Sequence, residues 1–119
     1  MPNWQPNWND VVWNWGASDG AASALRHSAD MLDQTSDERK YRSRAATAEW
    51  RGEYRDRFDQ ELAQILRRAH DLASEYRGVA DRIVNAAQRA RAEQRHREEE
   101  RARWWRQKRA EEAARRRRR

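Results

Sequence analysis

The side chains best equipped for chemistry in this sequence are guanidinium groups and indole rings near its C-terminal end. Arg95, Arg97, Arg101, Arg103, Arg106, Lys108 and Arg109, with five terminal arginines that include Arg115, Arg116 and Arg117, could contact phosphates of nucleic acid or acidic lipid headgroups. Trp104 and Trp105 lie among them and could stack on bases or sit at a membrane interface. Six acidic residues interrupt the same stretch, and no base-reading motif accompanies it. A solvated helical extension, or a handle for an acidic protein partner, is the plainer account. Anion binding, where it occurs, is expected at Arg106, Lys108, Arg109, Arg115, Arg116 and Arg117.

The remaining reactive residue types form no constellation. His27, His70 and His96 are isolated from one another, without the His-x-x-x-His spacing that places two imidazole ligands on one helix face. There is no cysteine, which excludes disulfides and thiolate metal sites. Aspartates and glutamates are abundant but interleaved with arginines, the pattern of solvated ion pairs along helix surfaces. No Gly-rich phosphate loop or nucleophile elbow is present. The expectation is a non-enzymatic protein with no cofactor and no metal.

The elements that must position these groups are helices. After Pro6 the chain contains no proline, and its only glycines are Gly16, Gly20, Gly52 and Gly78. Residues 1–17 form an irregular leader containing Trp4, Trp8, Trp13 and Trp15. These rings are expected to dock along the chain's own long helix, with Trp13 and Trp15 near Arg89 and Ala87; the alternative is an exposed aromatic patch for a partner. A first helix starts near Ser18 or Asp19, either of which can cap free N–H groups. Ala22, Leu25, Ala29 and Leu32 follow at 3-4-3 spacing. The stripe fades at Ser36, Arg39 and Ser43 and returns at Ala46 and Trp50.

A second helix begins just after Gly52. Its stripe of Phe58, Leu62, Ile65, Ala69, Leu72, Tyr76, Val79, Ile83, Ala86 and Ala90 alternates steps of four and three. Beside it runs a second row, Leu66, Ala73, Ala80 and Ala87, so the apolar face is wider than a two-stranded seam needs. A reversal near Arg51 sets residue i roughly opposite 102 − i, which faces Ala22 with Ala80 and ends the seam near Ala90. Residues 91–119 are rich in Arg, Glu and Ala and can continue the helix, with the last five arginines fraying by mutual repulsion. Charge divides at the same place: residues 1–90 carry 13 basic and 14 acidic side chains, residues 91–119 carry 13 and 6. The 119 residues are 37% hydrophobic and 39% charged, with alanine prominent, so a lone hairpin leaves much of its apolar stripe uncovered and a partner is expected.

Trp50-Arg51-Gly52 sits at the centre of this helix–turn–helix pattern. Glycine takes a left-handed conformation without a Cβ penalty and so ends helices, while the tryptophan can fold over the corner. A helix–Trp-x-Gly–helix hairpin in so short a chain resembles the WXG family of type VII secretion substrates and partners, over roughly residues 18 to 90. The resemblance implies an all-α antiparallel hairpin that dimerises into a four-helix bundle and serves as a secretion partner, adaptor or chaperone. Leu25, Leu32, Phe58, Leu62, Ile65, Leu72, Val79 and Ile83 are then expected in the hairpin and dimer core, with Trp50 and Gly52 at the turn. The partner implied is an identical chain, a sister hairpin or the helical domain of a larger secreted toxin.

Exported members of that family carry a Tyr-x-x-x-Asp/Glu signal. Here Tyr76 leads to Ala80, Tyr41 to Ala45 and Tyr54 to Phe58, so the motif is missing and export is expected only through a partner. No secretory signal peptide and no membrane-length apolar run is found, and the expectation is a chain cytoplasmic as synthesised. The near-exclusive use of arginine, 24 against two lysines, is the composition of a GC-rich genome such as an actinobacterium's. The alternative to the hairpin reading is a basic-tailed coiled coil that binds nucleic acid or acidic surfaces.

Overall fold

The computed structural model describes residues 2–119, and these form two helices and no strand. Helix α1 spans Trp15–Ala46 and helix α2 spans Glu53–Arg118. The chain divides into two compact units, one made of Gly16–Val84 and the other of the stretch up to Trp15 together with Asn85–Arg119. No helix among the described residues is long and apolar enough to cross a membrane.

Gly16–Val84 is a helical hairpin, and its seam is built from small side chains. Ala22, Ala29, Ala73 and Ala80 are buried, and Ala22 with Ala80 and Ala29 with Ala73 are the pairs the 102 − i rule sets opposite each other. Ser36 and Ser43 prolong the alanine row of α1 at seven-residue steps and are half-buried, so the stretch where the stripe fades is still part of the seam. Small residues here let the two backbones approach closely, and they bury little apolar area per residue. Arg77 lies about 40° around α2 from Ala73 and reaches Asp30 at 2.9 Å and Asp33 at 2.6 Å on α1. Arg26 reaches Asp81 at 3.1 Å. These solvent-screened pairs contribute little stability, but they mark one edge of the seam as ionic.

Three boundaries differ from expectation. Helix α1 starts at Trp15, three residues early, with Asn14 in the position that favours Asn, Asp, Ser or Thr as a cap. It ends at Ala46, so Trp50 belongs to the six-residue connection 47–52 and not to the helix stripe. The terminal arginines, expected to fray, are helical as far as Arg118. Arginine is a good helix former, and its charge in the last turns complements the negative end of the helix dipole, which offsets the mutual repulsion.

Candidate protein-binding surface

One row of large apolar residues on α2 is displaced from the seam. A residue one position before a seam alanine lies about 100° around the helix, on the side away from Arg77. Ile65, Leu72 and Val79 occupy that row, one step before Leu66, Ala73 and Ala80. Ile65 is 43% exposed and Leu72 37%, while Val79, Phe58, Leu62, Ile83, Leu25 and Leu32 are half-buried. None of the eight residues expected in the hairpin and dimer core is fully buried in the single chain, where the buried side chains of the hairpin are the four alanines and Thr47. The result is a ridge of branched aliphatic side chains beside a closed seam, on the edge opposite the ion pairs.

The corner at one end of the ridge is held by residues that apolar spacing does not reveal. Thr47 is fully buried, and its hydroxyl donates to the Ser43 carbonyl at 2.8 Å. Its own carbonyl accepts from the Trp50 N–H at 3.0 Å and from the Arg55 guanidinium. Arg55 also grips Asp59 at 3.0 Å, so one arginine joins the end of α1 to the first turns of α2. Trp50 packs edge-on against Phe58, with ring centroids 5.6 Å apart, and stays half open to solvent. Gly52 has φ +87° and its carbonyl accepts the Asp56 N–H at 3.2 Å, which makes it the N-cap of α2. Gly52 thus stands in the corner directly before α2, six residues beyond the end of α1.

The other unit shows where the tail's cationic and aromatic groups go. The leader runs along α2 without regular secondary structure, so its carbonyls and N–H groups have no helix or sheet to satisfy them. Seven-residue steps from Ala87 reach Gln94, Arg101 and Lys108, and the same steps from Ala90 reach Arg97 and Trp104. Four of these supply the missing partners. Gln94 accepts the Val11 N–H at 2.8 Å and donates to Asp10 at 2.9 Å. Arg97 donates to the Asn9 carbonyl at 3.1 Å. Arg101 donates to the carbonyls of Asn7 at 2.8 Å and Asn9 at 2.6 Å and to the Asp10 carboxylate at 2.8 Å. The Trp104 indole N–H donates to the Trp4 carbonyl at 3.0 Å, and its ring is only 5% exposed.

Aromatic contacts complete this strap. Trp8 meets Trp104 edge-to-face at 5.2 Å and Trp105 at 6.2 Å, and Lys108 lies over both rings at 5.3 and 5.1 Å. Arg103 lies over Trp4 at 5.9 Å, and Arg91 over Trp15 at 5.2 Å. Asp10 is held below the usual aspartate range by the hydrogen bond from Gln94 and then by Arg101. Much of the tail's chemistry is thus occupied within the chain. Of the residues expected to bind anions, Lys108 serves the tryptophan cluster, Arg109 lies near the Trp105 carbonyl at 3.4 Å, and Arg106, Arg115, Arg116 and Arg117 are exposed. The heptad count that stops at Ala90 misses Gln94, Arg97 and Arg101 because it follows apolar residues alone. A tandem Pro-Asn-Trp at residues 2–4 and 6–8 was a second available signal.

In comparisons with known proteins, no family model, curated protein or solved structure matches the chain.

Proposed function

We propose that this chain is a non-enzymatic helical-hairpin adaptor whose aliphatic ridge pairs with a second hairpin to complete a four-helix bundle. The supporting observation is the split between its two apolar rows. The seam is closed by alanines, while Ile65 and Leu72 are left open on the adjoining row. Branched aliphatics repeated at seven-residue steps along one edge suit packing against further helices. With Trp50 and Gly52 at the corner, this supports the reading of a WXG-type secretion partner or chaperone. Its partner would be a second copy, a sister hairpin or the helical domain of a secreted effector, and any export would depend on a signal carried by that partner.

The test separates ridge from seam. Leu72→Asp is expected to leave helix content within a few per cent of the parent and to lower the mass measured by sedimentation equilibrium to that of the free hairpin. Ala73→Asp buries an unpaired carboxylate in the seam and is expected to unfold the hairpin itself. A parent chain that sediments as a monomer at tens of micromolar, with or without its genetic neighbours' products, overturns the bundle. The exposed terminal arginines favour a second reading, the binding of nucleic acid or an acidic surface.

A further inference from the structure

We infer that the face of α2 from Gln94 to Lys108 is a recognition site for extended peptides carrying Pro-Asn-Trp, and that the leader is its resident, displaceable ligand. The chemistry of the contacts supports this. Gln94, Arg97, Arg101 and Trp104 address the backbone of the strap at Val11, Asn9, Asn7 and Trp4. Backbone groups are offered by any extended segment, so these four side chains form a general peptide cradle of the kind that reads main chain first. Selectivity comes from what stands between them. Pro2 and Pro6 are buried, the Trp4 indole donates to Gln107 at 2.6 Å, and Trp8 wedges against the Trp104–Trp105 pair.

Two further features make the strap exchangeable. Its sequence is a repeat, Pro-Asn-Trp-Gln followed by Pro-Asn-Trp-Asn, and the two tryptophans are used differently, Trp4 by its N–H and carbonyl and Trp8 by its ring face. Most of the strap's described bonds to α2 are also solvent-exposed, those of Trp4 to Gln107, Gln94 to Asp10, and Arg97 and Arg101 to residues 7–10. Segments of that description open at low cost in free energy. A tethered occupant lowers the apparent affinity for a free peptide by the fraction of time the site stands open, so weakening the tether's own side chains must raise it.

The experiment uses the full chain and a labelled synthetic peptide of residues 2–12, with fluorescence anisotropy for binding and far-ultraviolet circular dichroism for helix content. A full-length Trp4→Ala/Trp8→Ala chain is expected to bind the peptide at least ~10-fold more tightly than the unaltered chain. Adding Arg101→Ala should reverse ~10-fold of that gain, since hydrogen bonds to a charged donor are worth that much. A peptide of the same composition in scrambled order should not bind either chain. Equal affinity for the two chains, equal binding of the scrambled peptide, or no binding to a weakened-strap chain that keeps its helix content each overturns the inference. Should the weakened chain lose helix content, recovery on adding the peptide supports the inference and failure to recover overturns it.

Discussion

Gly52 holds φ at +87°, and a Cβ built there would meet nothing within 4 Å, so the cost of a side chain at this corner is a backbone cost alone. Gly52→Val should destabilise the hairpin by about 1–3 kcal/mol, because a β-branched residue is strongly disfavoured in the left-handed region. Gly52→Asn should cost clearly less, since asparagine tolerates that region. Thermal melting of the two variants checks the order; a Val variant that melts with the parent would mean that the corner adopts another geometry. Asp10 makes a second residue-scale case. Its carboxylate is stabilised first by Gln94 and then by Arg101, so its folded-state pKa lies below the unfolded value. The contribution to holding the strap is present above the ordinary aspartate pKa, near pH 4, and is lost as pH falls below it. Tryptophan emission should therefore report strap loosening below about pH 4. Asp10→Asn should flatten that transition, and an unchanged acid transition in this variant would assign it to other carboxylates.

At the scale of elements, α2 carries one glycine, and its place is informative. A Cβ at Gly78 meets nothing within 4 Å, and the residue lies in the middle of a 66-residue helix. Gly78→Ala should stabilise the chain by about 0.5–1 kcal/mol and raise its melting temperature by several degrees. A lowered melting temperature confined to concentrated samples would place a partner helix against this position. The same helix explains how far sequence reasoning reached. Its start after Gly52 and the apolar rows of α2 are plain from 3-4 spacing. The division of labour between the rows is not, because hydropathy ranks Leu72 above Ala73 while the neighbouring helix selects for size. Ala73 is buried since it lets α1 come close, and Leu72 is open since α1 lies on the other side. Gly52 marks the corner in the sequence, but Thr47 and Arg55 act there through hydrogen bonds that leave no periodic trace. For the strap, donors at seven-residue steps carry the pattern that apolar residues carry elsewhere. A count restricted to apolar residues ends where the covering segment stops being a helix.

At the scale of the molecule, the charge division sets the two functional readings against each other. Residues 91–119 hold 13 basic and 6 acidic side chains, yet Arg97, Arg101 and Arg103 are engaged by the leader, and Arg97 and Arg103 also pair with Glu93 and Glu100. The exposed cations left for an anionic partner are chiefly Arg95, Arg106 and the run Arg115–Arg119. Five adjacent arginines at the end of a helix attract any polyanion, and such binding falls with salt by roughly 0.9 in log–log slope for each phosphate contact. Their removal separates this generic attraction from assembly through the ridge, since the ridge and the described contacts of the strap lie at or before Lys108. Deleting Arg115–Arg119 should leave sedimentation mass and helix content of the remainder unchanged, and it should remove most of the salt-dependent retention of duplex DNA measured by filter binding. A deletion that instead splits the assembly would give the arginines a structural role between subunits. Full DNA affinity in the deleted chain would move the anion site to Arg106 and its neighbours, and would raise the nucleic-acid reading above the adaptor.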